Sequence, residues 1–459
     1  MTNFTAKQQL TIIVMIVLIV VAFASLAGFI ITSVQSSSIA PPSPQLPLTR
    51  SSSPIVPTSS PTSPPSTLEP VEGIWSQVQT ARLFDQIAHQ AKTLRGLAPR
   101  AEVPLSFLDE RDMTSILRQR HTSRDYDAQL APYIELGVLP DVPVFIRPRQ
   151  TPGLYEPQQR QLYILAGREE NNVDDQALLA HAYVHALQDQ HFNLGAMDAR
   201  ATTTDATLAI RALLEGDATL ATALYRYGDL SAVDWPHLTA LIIDAEQPDY
   251  GEKLEQAEHW ARIQRFPYWE GRRFAEALLE AEGWAAINRA YANPPRSTEH
   301  ILHPERYLAN TDRVTRVTIP NLGDVLGPDW TLTLQDTFGE FVICLYLEAI
   351  LSPDSAQNVA DGWNGDTFVK WKDGSNNQVL VWRTIWDTAS DAMAFETTLQ
   401  TMVGQQYLPA WPIEPPGGLI GNWWEIESGG VYVARVAHYV TLAQAPDVDT
   451  LTRVVHALP

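Results

Sequence analysis

The run from Leu10 to Ile31, LTIIVMIVLIVVAFASLAGFII, constrains this chain before anything else does. It carries no charge and no face of it is polar, so it has no natural place on the surface of a water-soluble fold. About 20 apolar residues in a helix span a hydrocarbon core. Residues 10–33 are therefore expected to form one transmembrane helix, with residues 1–9 as a short cytoplasmic N-terminus. A cleavable signal peptide is the alternative. AFA at Ala22–Ala24 offers small residues for cleavage, but a signal's apolar core runs only about 7–15 residues and this one continues past the site. Lys7 precedes the run and the next basic residue is Arg50. The bias of positive charge toward the cytoplasm then places the body outside the cell membrane, in a single-pass arrangement. Gln35–Pro70 is rich in Ser, Pro and Thr and poor in large apolar residues. Such a segment cannot bury a core, and residues 34–72 are expected to be a disordered tether.

The remaining chain is globular in composition, and its length suits two domains plus appendages. A formal charge of −21 disfavours nucleic acid, whose phosphates need basic partners. Cys344 is the single cysteine. No intramolecular disulfide can form, and a metal site would have to use histidines and carboxylates.

Apolar residues at helical spacing mark IWSQVQTARLFDQIAHQAKTLRGL as a helix. Val142–Ile146 of DVPVFIRPRQ is expected to be a strand. GLYEPQQRQLYILAG reads as a hairpin turning at PQQR, with a strand at Gln161–Leu165. Asp174 to about Arg289 is mostly helical in pattern. Beyond Ser352 the texture changes. TFVKWKDGSNNQVLVWRTIWD reads as two strands around a turn, ASDAMAFETTLQTMVGQQ as a helix, NWWEIESGGVYVARVAH as a hairpin and DVDTLTRVVHAL as a closing helix. The expected fold class is α+β: a mostly helical body with a small N-terminal sheet over residues 73–351, then a compact α+β module over 352–459.

Within the helical stretch, LLAHAYVHALQDQHF places His181 and His185 at i and i+4, on one helix face. With 11 His in 459 residues, chance supplies about 0.26 such pairs, so the pair alone is weak evidence for a metal. Context adds to it. Glu215 lies among apolar neighbours in AIRALLEGDATLATALY. A carboxylate there is costly to bury without a partner. Arg211, one turn earlier, is one such partner, and a metal ion held by the two histidines is another.

His181, His185 and Glu215 in this order resemble the gluzincin arrangement of zinc metallopeptidases, in which two histidines on one helix and a glutamate on the next bind zinc. LLAHAYVHALQDQHF with LLEGDATLA, FPYWEGRRFA and NPPRSTEHILHPERY together are similar to one bacterial group of these proteins. The resemblance runs from about Val144 to Tyr307 and more loosely beyond. It implies zinc on His181, His185 and Glu215, a helical zincin-like body, and a peptide or protein ligand. It also implies that Gln161, Leu162, Tyr163, Ile164 and Leu165 form an edge strand able to pair with an extended peptide. Thr219 shares the Glu215 face and is the expected support for a ligand histidine. Glu299, His303 and Tyr307 lie in a loop that the resemblance places near the cleft, as oxyanion-binding or substitute-base candidates.

One position departs from the pattern. In such enzymes the residue after the first histidine is a glutamate that takes a proton from the zinc-bound water, and here it is Ala182. Asp189 is a poor substitute because its reach is toward the far side of the metal, and Asp217 faces away from Glu215. Three readings follow: an impaired relative that binds metal or peptide, an active metallopeptidase with a substitute base, or a structural surface protein without metal.

Overall fold

Helix-start chemistry explains where the site-bearing elements begin. The computed structural model describes residues 77–120, 123–167, 172–310 and 314–459. Helix α1 is Gln77–Arg95, strand β1 is Leu105–Leu108, and helices α2 and α3 are Glu110–Arg120 and Ser123–Glu135. Strands β2 (Gly153–Glu156) and β3 (Gln161–Leu165) form the expected hairpin. Helix α4 (Val173–Phe192) starts at a reciprocal cap: the Asn172 side chain accepts from the Asp175 N–H, and the Asp175 side chain accepts from the Asn172 N–H. Helix α5 (Thr204–Tyr227) is capped by Thr203 and ends at Gly228 in the left-handed region. Helix α6 (Trp235–Glu246) starts at Asp234, whose side chain accepts from the His237 N–H. Helix α7 (Glu258–Glu282) follows and packs along α5.

The α5–α7 crossing is made backbone to backbone. A carbon added at Gly216 would lie 2.1 Å from the Gly271 carbonyl oxygen, and one added at Gly271 would lie 2.1 Å from that of Ala212. Only glycine allows so close an approach.

Strand β4 (Thr331–Asp336) opens the second sheet. Helices α8 (Gly339–Leu347) and α9 (Pro353–Ala360) lead to strands β5 (Trp363–Lys372) and β6 (Gln378–Trp386). Helix α10 (Ala389–Gln406), strands β7 (Ala410–Ile413), β8 (Asn422–Ile426), β9 (Gly429–Val436) and β10 (Tyr439–Ala445), and helix α11 (Val448–Ala457) complete the chain. The seven strands are antiparallel in the order β4-β5-β6-β10-β9-β8-β7. One apolar core joins α5, α7 and α8 to the face of this sheet carrying Phe368, Trp382 and Trp386. A second lies beneath α1, α4 and β3.

The expected fold class needs correction. Among the described residues the division into a mostly helical body with one small sheet and a separate module, behind a membrane-spanning helix, is not what is found. The protein is α+β with a seven-stranded sheet, and that sheet already includes Thr331–Asp336, upstream of residue 352. Among the described residues no helix is long and apolar enough to cross a membrane. Leu10–Ile31 and the Ser/Pro-rich segment lie outside the described residues. Val142–Ile146 is not a strand. Pro143 and Pro148 withhold the N–H groups a ladder would need, and only an isolated bridge between Arg147 and Asp249 forms nearby.

The edge-strand expectation for Gln161–Leu165 also fails. β3 is the central strand of its sheet, parallel to β1 on one side and antiparallel to β2 on the other. Both of its hydrogen-bonding edges are occupied, so it has none left for an added peptide.

Candidate metal centre

Three helices bring four side chains to one point. His181 and His185 project from one face of α4, Glu215 from the middle of α5 and Glu246 from the last residue of α6. One ligand atom from each lies within 4.8 Å of all the others. The two Nε2 atoms are 3.1 Å apart. Glu215 Oε2 is 3.5 Å from His181 Nε2 and 3.4 Å from His185 Nε2. Glu246 Oε1 is 3.4 Å and 3.6 Å from the same atoms.

The neighbouring hydrogen bonds set which nitrogen faces the centre. The Thr222 hydroxyl donates to the Ala218 carbonyl at 2.7 Å, so at 3.0 Å it can only accept from His181 Nδ1. Gln188 Nε2 donates to the Leu214 carbonyl and to Asp217, which turns Gln188 Oε1 toward His185 Nδ1 at 2.8 Å. Both rings thus donate through Nδ1 and present a bare Nε2 inward, the arrangement that orients metal-binding histidines. Buried Asp217 anchors this shell. It also accepts from Arg95 and from the Tyr291 hydroxyl at 2.7 Å. Tyr268 steadies the other side, donating to Glu246 Oε2 at 3.2 Å.

Four lone-pair donors that converge in a largely buried place need positive charge between them, from protons or from a metal ion. Glu215 Oε2 is buried and accepts no hydrogen bond. Five of the six edges of the group run from 3.1 to 3.6 Å, and the sixth, between the two carboxylates, is within 4.8 Å. A tetrahedron with edges of about 3.4 Å has its centre about 2.1 Å from each corner, within the roughly 2.0–2.2 Å range of zinc bonds to nitrogen and oxygen. Protons are the competitors. Burial alone would lower both imidazoles, but the Glu246 and Glu215 carboxylates outweigh it and hold both above the ordinary histidine value, His185 well above. Burial would raise both carboxyls, yet the facing imidazoles bring them below the ordinary range, Glu246 well below. Protons lie on lines between pairs of atoms. A point equidistant from all four suits one metal ion better.

The trio His181, His185 and Glu215 is therefore brought together, and Glu246 joins it unforeseen. Thr219 does not support a histidine. It is buried with an unbonded hydroxyl, and Thr222, nearly one turn further on, does that work. Glu299, His303 and Tyr307 are not part of the group. Arg306 donates to Glu299 at 2.7 Å, His303 Nε2 lies 3.0 Å from Glu340, and Tyr307 donates to the Asn293 carbonyl at 2.7 Å. Asp189 accepts from the Tyr155 hydroxyl at 2.8 Å and from the Leu194 N–H at 3.0 Å, which leaves it a structural role. Ala182 is 3% exposed within the apolar cluster that includes Leu162 and Ile164 of β3. Cys344 is buried, and burial pushes its thiol up to about 12.

The fold and site together define an α+β protein with a buried two-histidine, two-carboxylate group that could hold a metal ion. A family model described as a domain of unknown function, DUF8575, matches residues 331–455. That stretch carries the seven-stranded sheet and not the metal-capable group. No curated protein and no solved structure matches the chain.

Proposed function

We propose that this chain is a zinc-binding protein that holds the ion through His181, His185, Glu215 and Glu246 and acts by binding rather than by cleaving peptides. The observation that carries this reading is the convergence of four lone-pair donors on one point, with five of their six separations between 3.1 and 3.6 Å. Tetrahedral nitrogen and oxygen donors suit zinc, and four protein ligands are the mark of structural sites, whereas catalytic ones keep a position open. Zinc here would crosslink α4, α5 and α6. The surroundings of Ala182 support the same reading, because a carboxylate at that position would sit in an apolar cluster.

One observation favours an active zinc hydrolase as a second reading. Tyr268 holds Glu246 through Oε2, and the Glu246 Oε1 sits 3.4 Å and 3.6 Å from the two imidazoles, where in a three-ligand site it would act as a base beside the ion. The test is metal analysis of the purified full chain with a peptide-hydrolysis assay. About one equivalent of zinc without hydrolysis is expected. Less than about a tenth of an equivalent, with the site accessible, would sink both readings and leave a metal-free structural protein. Zinc-dependent hydrolysis lost in Glu246→Gln would establish the second.

A further inference from the structure

Helix α1 carries none of the four converging side chains, yet it packs on the two helices that carry three of them. Phe84, Ile87 and Ala91 of α1 share one apolar cluster with Ala182, Tyr183 and Ala186 of α4 and with Ala218 and Ala221 of α5. The Phe84 and Tyr183 rings meet edge to face at 5.7 Å. Arg95 is the last residue of α1, and its side chain is fully buried against Asp217. We infer that Arg95 is a positioning residue of the metal group and that docking of α1 is coupled to binding of the ion, an inference that rests on the zinc reading.

The link runs from Arg95 through Asp217 and Gln188, all buried, to His185. Arg95 Nε donates to Asp217 Oδ1 at 2.5 Å and Nη2 donates to Oδ2 at 3.1 Å, a two-point fork. Nη2 also donates to Asn288 at 2.8 Å, and the guanidinium lies 4.5 Å from the centre of the Trp284 ring. Arg95 thereby supplies, in one fixed place, the positive charge that a carboxylate enclosed here requires. An ionised Asp217 can only accept. The Gln188 amide therefore turns its NH2 group to Asp217, at 2.9 Å, and its oxygen to His185 Nδ1, at 2.8 Å. Without Arg95, Asp217 keeps only Tyr291 and Gln188 as side-chain donors, and the amide that orients His185 is held less firmly. The coupling is reciprocal, so an ion that fixes α4 against α5 also favours the docked α1.

The test is a competition titration of zinc on the full chain and two variants. Arg95→Met should bind zinc roughly 10–100-fold more weakly, the range for groups that orient a ligand. Arg306→Met is the control: it also takes an arginine from a fully buried carboxylate, Glu299, and should leave zinc affinity unchanged. Unaltered affinity in Arg95→Met, or an equal loss in both variants, would overturn the inference. Hydrogen exchange on the native chain reads the same coupling and serves if Arg95→Met does not fold. Zinc should slow the amides of α1 more than those of α11, which shares no apolar cluster with α4 or α5, and equal slowing would overturn it. Proton–nitrogen correlation spectra of the metal-free chain in alkaline solution keep the two ideas apart. His185 should carry its ring proton on Nδ1 in the native chain, and on both nitrogens in turn in Arg95→Met. That result with no zinc uptake sinks only the metal. Zinc bound with no dependence on Arg95 sinks only the positioning role.

Discussion

Two clusters in this protein place histidine against carboxylates, and they behave as opposites. In the first, His181, His185, Glu215 and Glu246 converge on one point. In the second, His303 Nε2 lies 3.0 Å from Glu340 and 3.1 Å from Asp361, but Arg306 donates to the same Asp361 at 3.1 Å and to Glu299, and Gln357 donates to Glu340 at 2.7 Å. The second cluster carries its own positive charge and closes on itself. The first has only its two imidazoles to set against Glu215 and Glu246, and a metal ion competes with protons for them. Proximity of His and acids therefore says little about metals. The informative feature is the pair of locked Nδ1 atoms.

Metal removal should separate the two clusters most. At a free zinc concentration of about 1,000 times Kd, the folded state gains about 4 kcal/mol, which a chelator should take away in a denaturant melt. His303→Ala should leave that chelator-sensitive difference intact, and loss of the difference in this variant would mean that the second cluster holds the ion. Ligand deletion comes next. Structural zinc sites are worth about 10–16 kcal/mol over four ligands, so His185→Ala should weaken zinc by on the order of 3 kcal/mol, roughly a hundredfold, in a competition titration.

Arg306→Met attacks the self-neutralised cluster. It removes the Arg306 partner of Glu299, whose side chain is fully buried, and should destabilise by about 2 kcal/mol in denaturant unfolding without changing zinc affinity. Thr222→Val should cost about tenfold in zinc affinity by freeing the His181 ring, while Thr219→Val should cost none. Equal effects of the two threonine variants would show that the His181 support is misassigned.

The smallest effect is in pH, with opposite signs. Burial lowers the His303 imidazole, but Glu340 outweighs it and raises it above its ordinary value of 6.5. Its stabilising contribution is thus complete below 6.5 and is lost as pH rises through the folded-state value. About 1 kcal/mol or less is expected for so partly exposed a pair. Zinc affinity should run the other way. It should fall as pH drops through the raised values of His181 and His185, where protons claim the imidazoles. A titration of zinc affinity and stability across neutral pH checks both signs.

Much of the first cluster was legible because helical periodicity is local. Spacing puts His181 and His185 on one face and apolar context marks Glu215, but it took the resemblance to join the three. Glu246 has no such mark: it ends a separate helix in LIIDAEQPDY, where an acid reads as surface polarity, and no fixed spacing ties it to the histidines. Thr219 and Thr222 lie on neighbouring lines of one helix, and only the rotation of α5 against α4 chooses between them. The hairpin of β2 and β3 could be read from its turn, whereas the four residues of β1 pair with β3 from far away in sequence. The large sheet was underestimated for similar reasons. β4 is mostly exposed, and β7 is a short edge strand containing Pro412.

The glycine crossing of α5 and α7 has a kinetic consequence. With backbone against backbone at Gly216 and Gly271, these helices cannot slide or rotate by small steps without separating. Their amides should exchange hydrogen only through the largest opening events. Glu215, next to Gly216, is then the last ligand able to leave. Glu246 is the last residue of its helix, where fraying is least costly, so the departure of a bound ion is expected to begin there.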